Sequence, residues 1–152
     1  MTKPPPGKRT GSLVRFRQTR PLKLRLIDAV VLAASGLLRV GREAVISELL
    51  PVEVMLPAPA QGALAVEATT AALAQAPWFA ERLAAVDDAT TRAAVTAERS
   101  LLRALEAGCS APVAAYAELE PGMDPAAAQV LRLRALAIRP DGTHVVEGEA
   151  RV

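Results

Sequence analysis

The sequence predicts an α+β protein: a C-terminal domain of helices packed on a three-stranded antiparallel sheet, preceded by a partial α/β segment. Three observations carry that prediction. "DDATTRAAVTAERSLLRALEAG" (87–108) has helical periodicity behind a capping residue, three alternating strand-like segments follow it, and one near-continuous apolar run, "AVVLA" (29–33), stands apart near the start. Helices followed by a run of strands, without strand–helix alternation, read as α+β.

In chain order, "KPPPGK" (3–8) opens a stretch with eight basic side chains in residues 1–27 (Lys3, Lys8, Arg9, Arg15, Arg17, Arg20, Lys23 and Arg25) and no acid. Beyond it the balance reverses, with ten basic against sixteen acidic side chains. Residues 1–20 are expected to be an irregular, solvated arm; without interleaved aromatics or a nucleic-acid motif, the basic charge does not indicate nucleic acid as a partner.

Residues 21–62 are expected to be the partial α/β unit. Ala29 to Ala33 reads as a strand buried on both faces, as in a parallel sheet, followed by a short helix. Val45, Ile46, Leu49 and Leu50 then have helical spacing, and Pro51 stops the segment. In "VEVMLPAPAQGALAVEA" two strand-like halves flank a Pro/Gly-rich hinge, 57–62, where the domain boundary is set.

Residues 63–152 are expected to be the C-terminal unit. A short helix is predicted from Pro77 to Leu83. The longer one is capped by Asp87 or Asp88, carries an apolar stripe at Ala94, Ala97, Leu101 and Leu105, and is stopped by Gly108 in a left-handed conformation. Strands are predicted over 113–120, 130–139 and 144–152; in the second, Leu131, Leu133 and Ala135 alternate with Arg132 and Arg134. "PDG" (140–142) joins the last two as a tight turn.

Composition excludes several classes. With one cysteine and one histidine (His144) the chain has no disulfide framework and no cysteine-based zinc cage, so a reducing cytoplasm is the expected compartment and no metal is expected. The longest apolar stretch, 29–38, is too short to span a bilayer, so no membrane partner is expected. The single thiol, Cys109, lies in "LEAGCSAP". A lone cysteine is often a small buried hydrophobe. Here Gly108, Ser110 and Pro112 make a polar, sharply turning loop that presents the sulfur instead. A helix C-terminus is the wrong dipole end to stabilise a thiolate, so activation would require cations such as Arg15, Arg17 or Arg20. The residues alone leave both readings open.

"LEAGCSAPVAAYAEL" resembles the cofactor-attachment loop of the porphobilinogen deaminase (hydroxymethylbilane synthase) family. "DAVVLAASGLLRVG", "LPAPAQGALAVE" and "TRAAVTAERSLLRALEAGC" are similar to that family in the same order and spacing. The resemblance implies that Cys109 carries a dipyrromethane cofactor through a thioether. It implies that this dipyrrole primes a chain grown by successive porphobilinogen additions and released as hydroxymethylbilane, on the route to haem. It also implies that the 21–62 unit is part of a periplasmic-binding-like lobe. Porphobilinogen or a linear pyrrole chain is the implied ligand, and its carboxylates call for arginines. "RFRQTRPLKL" is a gapped match to the family's Arg-Gly-Asn-x-x-Thr-Arg stretch. It retains Thr19 and Arg20 and places Arg15 first, so Arg20 and Arg15 are the implied carboxylate ligands, while Phe16 and Arg17 depart from the pattern.

The family's N-terminal domain, which supplies its catalytic aspartate, has no counterpart among these residues. Asp28, Asp87, Asp88, Asp124 and Asp141 fall in segments that align elsewhere, so no catalytic residue is assigned. The family's final helix is also unmatched. The expectation is a fragment: a transferase that needs a separate N-terminal-domain chain, or a non-catalytic remnant or half of a split enzyme that binds a dipyrrole or partner without turnover.

Overall fold

A computed structural model describes residues 29–108, 110–122 and 129–152, together with the backbone of 13–17. Its described strands form two three-stranded antiparallel sheets.

The first sheet contains β1 (Leu13–Arg17), β2 (Ala29–Ala33) and β3 (Glu48–Leu50) in the order β2-β1-β3. Arg15 is centred in it, opposite Val31 on one side and Glu48 on the other. Two expectations are corrected here. The arm is not irregular throughout, because "LVRFR" contains β-forming Val and Phe and pairs with two neighbours. The parallel pairing expected of β2 is not observed, because β2 pairs antiparallel with the strand just before it in sequence. Val30, Val31 and Leu32 are accordingly 38–41% exposed, not buried on both faces.

The short helix after β2 is α1 (Ala34–Arg39). The helical segment expected at 45–50 is the third correction: Gly41 turns the chain at φ +65°, a single 3-10 turn covers Glu43–Val45, and β3 follows. Two β-branched residues, Val45 and Ile46, weaken a helix here, and pairing with β1 takes the backbone groups of 48–50 instead. The strand-like halves around the hinge are not strands either. Residues 52–54 form a turn, and 63–69 have no regular structure.

Thr69 starts α2 (Thr70–Gln75), its hydroxyl accepting from the Ala72 N–H at 3.1 Å. Pro77 opens α3 (Pro77–Val86), where its missing N–H costs nothing. Of the two candidate caps for α4 (Ala89–Ala104), Asp88 is the one used, and Oδ1 accepts from the Thr91 N–H at 2.7 Å. The second sheet follows: β4 (Val113–Glu120), β5 (Val130–Ile138) and β6 (Val145–Arg151), in sequence order. The β5–β6 turn closes as its residues predict, with Gly142 at φ +74° and Asp141 accepting from the Thr143 N–H at 3.0 Å.

Cross-strand register separates the two faces of this sheet. Ala117, Leu133 and Ala150 share one face, while Tyr116, Arg134 and Glu149 share the other. Helix α4 packs over β4 and β5. Ala94 on the helix and Ala115 and Ala117 on β4 are at most 2% exposed, so the tightest part of the core is made of methyl groups. β6 is exposed along its length. Among the described residues, no helix is long and apolar enough to cross a membrane.

Candidate functional site

The loop at the end of α4 is built from both sides. Its helix ends in a paired C-terminal motif: the Ala107 N–H reaches the Leu102 carbonyl at 2.9 Å and the Glu106 N–H reaches that of Arg103 at 3.1 Å. The residue that turns left-handed is Glu106, at φ +50°, and not Gly108 as expected. The helix runs out four residues earlier than the glycine, so the reversal falls on whatever side chain is there. Leu105, expected on the buried stripe, lies beyond the last turn and is 51% exposed. On the far side, the Ala111 N–H donates to the Gly108 carbonyl at 3.0 Å, and the Pro112 carbonyl accepts from the Ile138 N–H at 3.0 Å, extending the β4–β5 ladder. Cys109 and Arg20 lie outside the described residues. Of Arg15 only the backbone, in β1, is described.

Among the described residues, the most buried charged one was missed in the sequence. Glu98 on α4 is 1% exposed; Oε2 accepts from the Ala60 N–H at 2.6 Å, and Oε1 accepts from the Ala117 N–H at 2.8 Å. Position 98 follows Ala94 by four and precedes Leu101 by three, so helical spacing puts it on the stripe that faces the sheet. Its charge argued for solvent, and only a local shortage of acceptors explains its burial. β4 is an edge strand whose outward amides need partners. The Pro57 carbonyl takes the Ala115 N–H at 3.0 Å, and Glu98 takes the next one, two residues on. Ala60 holds φ +63°, a left-handed conformation in which its N–H meets the same carboxylate. The 57–62 hinge is thereby stitched to the edge of β4 and to α4, the helix that leads into the Cys109 loop.

The outer face of α4 borders a groove of roughly 900 Å³. Leu64, Val66 and Leu83 contribute apolar wall, and Arg92, Arg99 and Arg103 form a cationic stripe. Asp87 holds Arg92, its Oδ2 accepting from Nε at 2.9 Å, and this contact raises the arginine's pKa. Among the described residues no carboxylate pairs with Arg99 or Arg103. Such a groove suits an anionic group with an apolar body. Those same described residues hold no group of three or more potential metal ligands.

The polar face of the second sheet is an ion-pair ladder. Arg132 donates to Glu120 at 3.0 Å and to Glu149 at 2.7 Å; these bonds, Glu149 first, raise its pKa and lower that of Glu149. Arg134 sits over the Tyr116 ring at 5.6 Å, with Nη2 3.5 Å from Glu118, an ion-pair distance without hydrogen-bond geometry.

Comparison with known proteins places this architecture. Residues 15–76 match the family model described as porphobilinogen deaminase, dipyromethane cofactor binding domain, and residues 92–152 match that of the porphobilinogen deaminase C-terminal domain. The chain is 53% identical over 122 residues to the porphobilinogen deaminase of Nocardia farcinica, covering 79% of this chain and 34% of the relative. It is 54% identical over 123 residues to porphobilinogen deaminase 1 of Streptomyces coelicolor, covering 80% and 36%. Against the porphobilinogen deaminase of Cutibacterium acnes it is 48% identical over 126 residues, covering 83% and 37%. The chain thus spans little more than a third of the length of these curated relatives. The two matched regions define a mixed α+β protein with a cofactor-binding part and a C-terminal part. It belongs to the porphobilinogen deaminase family.

Proposed function

We propose that this chain is the cofactor-carrying part of a hydroxymethylbilane synthase, with dipyrromethane attached to Cys109 as a thioether. The observation that supports this most is the pair of family matches, 15–76 and 92–152, the second of which runs through most of α4 and across position 109. Loss of ammonia from the aminomethyl group of porphobilinogen leaves an electrophilic azafulvene. The Cys109 sulfur attacks its methylene carbon: a C–S bond forms, the exocyclic double-bond pair returns to the ring, and the ring nitrogen takes up a proton to balance the one lost by the thiol. Further units add to the free end of the tethered chain in the same way, and water releases the tetrapyrrole.

The chain's own contribution is to hold the anchor. Both ends of the 108–112 loop are tied to rigid elements, α4 on one side and the β4–β5 ladder on the other, which limits how far a tethered ligand can wander. Arg20 and Arg15 are the proposed carboxylate ligands. No residue of this chain is assigned the proton transfers, so turnover is proposed to need a carboxylate supplied by a separate N-terminal-domain chain. Cytoplasm is the proposed compartment.

Intact mass tests the reading. After exposure to preformed hydroxymethylbilane the wild-type chain should gain a stable pyrrole adduct and Cys109→Ser should not. An adduct that persists in Cys109→Ser would overturn the anchor, and steady porphobilinogen consumption by the isolated chain would overturn its dependence on a second chain.

A further inference from the structure

Among the described residues, the principal packing of elements stays within two halves. β2 and β3 lie against β1 and α1 against β2, whereas β4, β5 and β6 pack with one another and α4 lies over β4 and β5. The segment that follows β3 reaches across. Glu53 Oε1 is 3.6 Å from Arg134 Nη1 on β5, the Pro57 carbonyl accepts from the Ala115 N–H at 3.0 Å, and the Ala60 N–H donates to Glu98 at 2.6 Å. The Glu53 side chain is 67% exposed, so its ion pair contributes little. The Glu98 contact is of another kind: it is charge-assisted, it is buried, and the second oxygen of the carboxylate is held by the Ala117 N–H. Ala60 belongs to the region matched by the cofactor binding domain, while Glu98 and Ala117 belong to the region matched by the C-terminal domain. One carboxylate therefore ties the two family regions together. Turns on either side of Ala60 stiffen the tie, with the Gln61 N–H donating to the Ala58 carbonyl at 3.0 Å and the Ala63 N–H to the Ala60 carbonyl at 3.2 Å.

We infer that Glu98 is a positioning residue for the Cys109 anchor, an inference that rests on the anchor reading above. Arg15 is centred in the first sheet, whose strand β3 runs directly into the tied segment. Cys109 follows α4, the helix that carries Glu98. Glu98 thus fixes the register between the sheet proposed to hold the ligand's carboxylates and the loop whose sulfur must meet its reactive carbon. Capture depends on that register, because a tethering reaction is fast only when both ends of the ligand are presented together. A reagent that has no carboxylate to hold, and needs only the sulfur, does not depend on it.

Two reactions of the same thiol, followed by intact mass on the full chain, test this in wild type and in Glu98→Gln. In the first, the terminal methylene of hydroxymethylbilane forms a C–S bond to Cys109, and its hydroxyl leaves as water with the thiol proton. In the second, neutral iodoacetamide alkylates Cys109 with loss of iodide and the thiol proton. Glu98→Gln should slow capture of hydroxymethylbilane about tenfold or more, the scale of a misplaced reactant, and leave alkylation unchanged. Hydrogen exchange should rise over 57–62 in the variant while β5 (Val130–Ile138) keeps its protection. Capture at the wild-type rate, alkylation slowed as much as capture, or unchanged exchange over 57–62 would overturn the inference. Loss of protection in β5 together with capture would overturn it too, by making Glu98 a residue that holds the fold and not the register. A wild type that takes no adduct would overturn the anchor reading itself, and the positioning role with it.

Discussion

The Glu98 carboxylate joins two amides far apart in sequence, accepting from Ala60 at 2.6 Å and from Ala117 at 2.8 Å, and so fastens the hinge loop and an edge strand to one helix. Glu98→Ala leaves both N–H groups without their acceptor and opens a gap in a site only 1% exposed. Each orphaned buried donor costs about 1–3 kcal/mol, so the substitution should cost about 2–4 kcal/mol. Glu98→Gln keeps the shape but turns an NH₂ towards one of the two donors, and should cost about half as much. Urea denaturation measures both, and a loss below about 0.5 kcal/mol for Glu98→Ala would show the bridge to be dispensable.

Glu106 occupies a left-handed conformation that costs a residue with a Cβ about 1 kcal/mol or more. Glu106→Gly removes that strain but gives the unfolded chain more freedom, and the balance should stabilise the protein by about 0.5–1 kcal/mol. The Ala107–Leu102 and Glu106–Arg103 bonds that close the helix use backbone only and survive the change. A lower thermal midpoint in Glu106→Gly would mean that the side chain makes a contribution larger than its backbone strain.

Ala115 is fully buried where α4 crosses β4. Enlarging it to leucine must push helix and strand apart, and overpacking of this kind costs about 1–3 kcal/mol. Ala115→Leu should lower the denaturation midpoint, whereas the reverse change, Leu38→Ala, at a position 56% exposed on α1, should have a much smaller effect.

Acid should loosen the second sheet. The Arg132 hydrogen bond depresses Glu149 below its ordinary 4.5, and the Thr143 hydrogen bonds depress Asp141 below its ordinary 3.8. A carboxylate with a depressed folded-state pKa contributes stability above its unfolded value, and that contribution disappears as pH falls through the folded one. Stability should therefore decline from about pH 4.5 downwards. Glu149→Gln should be less stable than wild type at pH 7 and indistinguishable from it once both carboxyls are protonated. Added salt should weaken the Glu149 contribution and leave the Asp141 turn nearly unchanged, because only the former is an ion pair.

The elements legible in the sequence are those whose determinants lie within a few residues. Asp88 caps α4 through an amide three positions away, Pro77 opens α3, Gly142 and Asp141 make their turn, and β4 to β6 follow from alternation. The family was readable through the motifs around Cys109. Tertiary structure alone decided what depended on neighbours: that β2 runs antiparallel to β1, that 48–50 extends along β1 instead of continuing a helix, and that Glu98 is buried. An apolar run fits either sheet equally well until a partner strand arrives. A glutamate belongs in solvent until the amides of an edge strand and a left-handed turn converge on it from residues 60 and 117, a meeting that no local pattern encodes.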